Sequence, residues 1–255
     1  VKVLGKTAVV IGGASGMGNG AARLLAERGA RVAILSFEED SPRIAAELAA
    51  ETGGEIVGWQ LDMENREQVY SVLDAVVEKF GGIDISINTA GQIDSAKVTE
   101  PEFLPLLERM LSVNLVGTLN AVDACVRIMR RNVPDEDGER GVILVTGSMA
   151  SLEGVPGQAP YCASKAGLLG VVLPVAREMA GEGIRINAIE PGGFETPLTA
   201  RLSRKFKDGV ASGIPNPQRL GVPDDYAVFA LALIEAKYAN AGTFRLDGGW
   251  RQVFP

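Results

Sequence analysis

Thr7-Ala8-Val9-Val10-Ile11-Gly12-Gly13-Ala14-Ser15-Gly16-Met17-Gly18 runs from a short β-type segment straight into a glycine-rich turn. Leu24 and Leu25 follow in a stretch of helical character, so the segment reads as strand, tight turn and helix. Glycine at 12, 16 and 18 together is more than a simple turn needs. Glycines let the backbone bend sharply and approach a pyrophosphate, and free N–H groups at a helix start attract its charge. Gly12, Ser15, Gly16, Met17 and Gly18 are therefore candidate dinucleotide contacts.

The same rhythm continues outward. Thr7–Ile11, Arg31–Leu35, Ile56–Leu61, Ile83–Asn88, Gly141–Thr146, Ile184–Ile189 and Thr243–Leu246 read as seven strands separated by helical stretches. Between the third and fourth, Val69, Leu73, Val76 and Phe80 recur at the spacing of one helix face. The strands are near-continuous apolar runs, as expected when helices cover both sheet faces. The expected fold is α/β, a single-domain Rossmann-type doubly wound parallel sheet spanning residues 1–255. Two segments interrupt it: the charged, turn-rich Arg130–Gly141, and 192–222, long enough to be a substrate lid. In that lid Leu198, Leu202, Phe206 and Val210 stand four apart and would form an apolar stripe on a short mobile helix, with Leu198, Leu202 and Phe206 as candidate substrate contacts.

Composition narrows the function. The 255 residues are 46% hydrophobic and carry a net charge of −7, which argues against general nucleic-acid binding. There is no His, which removes histidine triads, histidine-ligated zinc and a histidine base, and no metal site is expected. Cys125 and Cys162 read as small core-type side chains, in keeping with a reducing compartment. No run reaches the roughly 20 consecutive apolar residues of a membrane span, and no secretory signal is evident, so a cytoplasmic protein without a membrane partner is expected.

Tyr161 and Lys165 lie four apart in a strongly helical stretch, and Ser148 sits just past an apolar strand, where open α/β sheets bind ligands. A phenol beside an ammonium is a sensible proton carrier, because positive charge favours the phenolate. Tyr-x-x-x-Lys alone is common on helices; joined to the glycine turn and a strand-end serine it becomes a catalytic pattern.

These motifs resemble the short-chain dehydrogenase/reductase family along nearly the whole chain. The glycine turn resembles the family's T-G-x-x-x-G-x-G with Ile11 in place of Thr. Asn88-Thr89-Ala90-Gly91, Val113-Asn114-Leu115, Tyr161-Cys162-Ala163-Ser164-Lys165, Glu190-Pro191-Gly192 and Leu246-Asp247-Gly248-Gly249 resemble its further signatures. The resemblance implies that Tyr161 exchanges the substrate proton and Lys165 lowers its pKa and holds the nicotinamide ribose. It implies that Ser148 orients the substrate oxygen, and that Asn114 holds a water that continues a proton relay. It also implies cofactor contacts from Asn88, Ala90, Gly91, Tyr161, Lys165, Pro191, Gly192, Phe194 and Thr196, with Asp62 and Met63 at the adenine. Hydride passes between nicotinamide and substrate carbon, so the cofactor carries the hard chemistry.

By register Ser36 occupies the place where NAD-preferring members carry an acid, while the basic residues of NADP-preferring members are absent: Phe37 and Ser15 stand there. Glu38, Glu39 and Asp40 would repel a 2′-phosphate, although the run equally suits a solvated helix start. NAD is the favoured reading, with NADP as the alternative. Arg130–Gly141, Glu153-Gly154 and the lid further resemble the family's branch of short 3-hydroxyacyl-CoA and hydroxysteroid dehydrogenases. The lid's Arg201, Arg204, Lys205 and Lys207 would meet CoA phosphates, or equally sit in water, while Asp135, Glu136, Asp137 and Glu139 weigh against CoA. The expected activity is oxidation of a short 3-hydroxyacyl-CoA, with a hydroxysteroid or other non-CoA alcohol as the alternative. A non-catalytic dinucleotide sensor is the remote third. The helix after Pro160 is apolar all round and reads as buried, against another subunit of a homotetramer or inside one chain.

Overall fold

In the middle strands of this protein both side-chain faces are apolar, and the fold follows from covering both. The computed structural model describes residues 1–200 and 203–252, with side chains at all of these except 198 and 206. The strands are β1 (Thr7–Ile11), β2 (Arg31–Ser36), β3 (Ile56–Gln60), β4 (Ile85–Asn88), β5 (Gly141–Thr146), β6 (Ile184–Pro191) and β7 (Thr243–Leu246). They form one seven-stranded sheet in the order β3-β2-β1-β4-β5-β6-β7, every pair parallel. The expected strands are thus all present, with ends displaced by at most two residues.

Alternate residues serve opposite cores. Ala8, Val10, Val32 and Ile34 pack on one face with Leu25 of α1 (Gly16–Glu27), Leu48 of α2 (Ser41–Thr52) and Leu231 of α10 (Pro223–Glu235). Val9, Ile11, Ala33 and Leu35 pack on the other with Leu73 of α3 (Arg66–Phe80), Cys125 of α5 (Thr118–Met129) and Val172 of α7 (Ala159–Glu178). Each fully buried aliphatic side chain contributes roughly 1.5–3 kcal/mol, which offsets the entropy of ordering the chain. Cys125 is part of this core, and burial pushes its thiol up to about 11. Both cysteines are free thiols.

Between β4 and β5 the chain does not break into two helices. α4 (Phe103–Met110) runs through a π-helical segment, Leu111–Gly117, directly into α5. This continuous helix and α7 are long and apolar enough to cross a membrane by length and composition. Both nevertheless pack on the sheet: α5 places Ala121, Cys125 and Met129 in the core, and α7 places Leu168, Val172 and Ala176 there.

The charged segment 130–141 lies at the amino-terminal edge of the strands, opposite the glycine turn. The Arg140 amide bonds to the Gly183 carbonyl at 2.7 Å, Asp135 and Asp137 meet Lys237, and Glu139 pairs with the buried Arg185 at 2.5 Å. Its acids are therefore remote from the carboxyl edge of the sheet, and their expected weight against a CoA substrate is corrected: Asp135, Asp137 and Glu139 bind the fold's own cations. Arg185 further donates to the carbonyls of Leu233, Ile234, Ala236 and Ala239, fixing the end of α10. Removing one partner of such a buried pair strands the other charge, at a cost of about 3–5 kcal/mol. An Arg185→Met variant is expected to lose stability of that order in urea titration while its cofactor affinity stays within about twofold; unchanged stability would refute the assignment.

Candidate active site

The order of strands reverses direction between β1 and β4, so the helical connections diverge there and leave a crevice at the carboxyl edge. The glycine turn bounds it. Gly12 has φ +80° and Gly16 φ +54°, both in the left-handed region. A Cβ at Gly12 would stand 2.7 Å from the Ala90 nitrogen, and one at Gly18 would run into the Gly12 carbonyl. The loop therefore closes only with glycine at both positions, and its bare backbone faces the crevice. Ser36, expected near the ribose, is 3% exposed, and its hydroxyl accepts the Ala14 N–H at 3.0 Å. It braces the glycine turn.

The crevice is a cleft of about 440 Å³. Gly12, Ser15, Gly16, Met17, Gly18, Ser36, Asp62, Met63, Ala90, Gly91 and Thr196 of the expected set line it. Phe37 and Glu38 of the acidic run, Thr89 and Val113 of the quoted motifs, and Glu64 and Gln92, which the sequence did not single out, line it as well. Asn88 lies beneath, buried, with its Oδ1 accepting the Ala90 N–H at 3.0 Å and its Nδ2 donating to Thr118 Oγ1 at 3.1 Å. Thr89 Oγ1 donates to the Ile11 carbonyl at 3.0 Å, tying the two switch-point strands together.

Just past β5, the Ser148 side chain stands close enough to Tyr161 to favour its charged form. One helical turn on, Lys165 Nζ donates to the Thr146 carbonyl at 2.8 Å. A Cβ on Gly91 would be 3.2 Å from that Nζ and 3.0 Å from Asn114 Oδ1. Since Gly91 lines the cleft, the lysine and asparagine stand immediately behind its wall. Asn114 is in the π-helical segment, where the wider turn is a recurrent feature of functional sites. Its side chain accepts the Gln92 N–H at 2.8 Å and donates to the Gln92 carbonyl at 2.9 Å and Ser164 Oγ at 3.0 Å. That amide is fully engaged, and the Asn114 main-chain carbonyl accepts the Thr118 hydroxyl at 2.8 Å.

Burial dominates the electrostatics. It pushes the Tyr161 phenol up to about 12, partly countered by the nearby Ser148 and reinforced by Glu190. The phenol thus stands above its ordinary value, and Lys165 is not among the neighbours that act on it. Lys165 is itself pushed down to about 8 by burial, with Glu190 opposing that fall.

Three further residues of the expected set, like Ser148, Tyr161 and Lys165, stand outside the lining of the cleft. Phe194 is 5% exposed and belongs to the core, its ring packed on Gly221, so its side chain does not face the cleft. Pro191 is buried at the end of β6, and Gly192 fits closely beside Asp247; neither lines the cleft. The lid begins against the glycine turn, Thr196 lying 3.3 Å from where a Cβ on Gly16 would be. It contains two short helices, α8 (Pro197–Ala200) and α9 (Arg204–Ser212). Of the apolar stripe, Leu202 and the side chains of Leu198 and Phe206 lie outside the described residues, as does Arg201.

Sequence reasoning also missed Glu190. Its signal was present: an acid closing the otherwise largely apolar strand Ile184–Pro191.

The short chain dehydrogenase profile matches residues 6–207. The 3-hydroxyacyl-CoA dehydrogenase type-2 of Rattus norvegicus is 39% identical over 255 residues, covering 98% of this chain and 96% of that protein. The 3-oxoacyl-(acyl-carrier-protein) reductase of Thermotoga maritima is 32% identical, over 98% of this chain and 99% of its own. Among solved structures, 3-hydroxyacyl-CoA dehydrogenase type-2 from Mycobacterium avium superposes with a TM-score of 0.89 at 29% identity, covering 98% of this chain and 97% of the other. With that match over nearly its full length, the chain belongs to the short-chain dehydrogenase/reductase family, as an oxidoreductase that moves hydride between a nicotinamide cofactor and a secondary alcohol or ketone.

Proposed function

We propose that the protein is an NAD-dependent dehydrogenase of short 3-hydroxyacyl-CoA thioesters. The observation that carries the reading is Lys165, one helical turn from Tyr161, standing directly behind the Gly91 wall of the glycine-bounded cleft, with Ser148 beside the phenol. The cleft suits a dinucleotide because Gly12 and Gly18 keep its floor free of side chains. When bound, the nicotinamide accepts or gives the hydride. Tyr161 takes the proton from the substrate hydroxyl during oxidation and returns it during reduction. Ser148 would hold the same oxygen in line, and Lys165 would brace the ribose of the bound cofactor. Asn114 ties Gln92 to α7 through Ser164, keeping the cleft wall and the catalytic helix in register.

The CoA reading is supported by the names of the similar proteins and by the removal of the acidic loop to the far edge of the sheet. A hydroxysteroid or another non-CoA alcohol is the second reading, favoured only by the apolar residues of the lid. In a panel of secondary alcohols, hydroxyacyl-CoA thioesters are expected to turn over fastest; inert thioesters beside active free alcohols would exclude the first reading. Tyr161→Phe is expected to bind cofactor normally and to lose about 10²–10⁴-fold in kcat. Normal turnover in that variant would exclude Tyr161 as the proton carrier.

The preference for NAD rests on Glu38. It lines the cleft beside Ser36 and Phe37 and would repel a 2′-phosphate. Glu38→Lys is expected to move the NAD/NADP ratio of kcat/KM toward NADP by about tenfold or more. An unmoved ratio in steady-state assays would place the discrimination elsewhere.

A homotetramer in the cytoplasm completes the proposal. The outer side of α7 leaves Leu173 44% exposed, and Leu104 and Leu152 stand exposed as well. Multi-angle light scattering is expected to return four times the chain mass of 26.8 kDa, whereas a monomer would sink this assignment.

A further inference from the structure

Glu190 is fully buried at the end of β6, beneath the turn that presents Ser148. Its Oε2 accepts the Ser148 main-chain N–H at 2.6 Å, and its Oε1 has no hydrogen-bond partner. The carboxyl group rests on Gly147, where any Cβ would collide with both oxygens. A glycine notch on one strand end and an acid on the next thus form a fitted pair. A buried carboxyl with an unpaired oxygen is costly, and such groups concentrate at working sites.

We propose that Glu190 is a positioning residue for the proton-transfer step: it holds Ser148 through its N–H and places a negative charge behind Tyr161 and Lys165, thereby governing the pH range over which the pair works. The inference rests on the reading of Tyr161 as the proton carrier. The groups that face Glu190 are Ser148 at the end of β5, Ser151 of α6 (Ala150–Glu153), Tyr161 and Lys165 of α7, and Arg245 of β7. Arg245 is already paired with Glu153 at 2.7 Å and Asp247 at 2.6 Å, so it neutralises Glu190 only in part. Burial pushes the Glu190 carboxyl up to about 7, against Ser148, Ser151, Lys165 and Arg245, all of which favour the charged form. Its charge therefore changes within the working range of the site. When charged it raises the proton affinity of both neighbours, so it favours the phenol over the phenolate and the ammonium over the amine.

Alcohol oxidation needs Tyr161 to accept a proton, so kcat/KM rises with pH through the phenol's apparent pKa. In Glu190→Gln the amide oxygen still accepts the Ser148 N–H while the charge is gone. The rising limb of the oxidation profile is expected to move to lower pH by about half a unit or more, with cofactor Kd within twofold of wild type. A profile that superimposes on the wild type overturns the inference. Should Glu190→Gln fail to fold, a carbon-13 titration of the wild-type glutamates decides: one buried carboxyl titrating near neutrality is expected, and all titrating below about pH 5 overturns it. Tyr161→Phe run in parallel separates the failures. If that variant turns over normally, the proton-carrier reading is wrong; if it is inactive while Glu190→Gln is unshifted, only the role of Glu190 is.

Discussion

A parallel sheet covered by helices on both faces has no water beside its central strands, and this dehydration orders the rest of the molecule. Every polar side chain that enters the sheet must find a partner inside it or move to a strand end. Thr146, Ser148 and Glu190 all lie at the carboxyl ends of β5 and β6. Thr146 illustrates the solution: its hydroxyl pairs with the buried Tyr226 at 2.7 Å and its carbonyl takes the Lys165 ammonium. The same constraint sends Arg185 and Glu139 to the opposite edge, where they lock α10 and the charged loop into one unit. Chemistry and anchorage are thus separated by the length of a strand.

The polar groups at the carboxyl edge form a linked set. Asn114 fixes Gln92 of the cleft wall and, through Ser164, the helix that carries Tyr161. Lys165 joins that helix to β5, and Glu190 joins β6 to the Ser148 turn. Three strands and two helices therefore converge on one phenol. A shift in any of them reaches the reacting oxygen, where a misplacement of about 1 Å is worth large factors in rate.

Low dielectric is the common cause of the titration behaviour. The phenol and the carboxyl are held toward their neutral forms and the ammonium toward its amine, each by burial first. Charges so placed interact strongly because little water screens them. A proton carrier in such surroundings depends on its neighbours more than on its own chemistry.

The amino-acid order by itself determined the alternation of strands and helices, because buried parallel strands and one-sided helices leave distinct apolar periods. It also determined the glycine turn and the Tyr161–Lys165 spacing, since both are local: a backbone that tolerates no Cβ and two side chains one helical turn apart. The tertiary structure decided what depends on which neighbour a side chain meets. Ser36 is a brace of the glycine turn, Phe194 is core, the acids of 130–141 face the fold's own cations, and Glu190 sits under Ser148. Each of these pairs is distant in sequence or lies on a different strand, and no local period records a contact made only when the sheet closes.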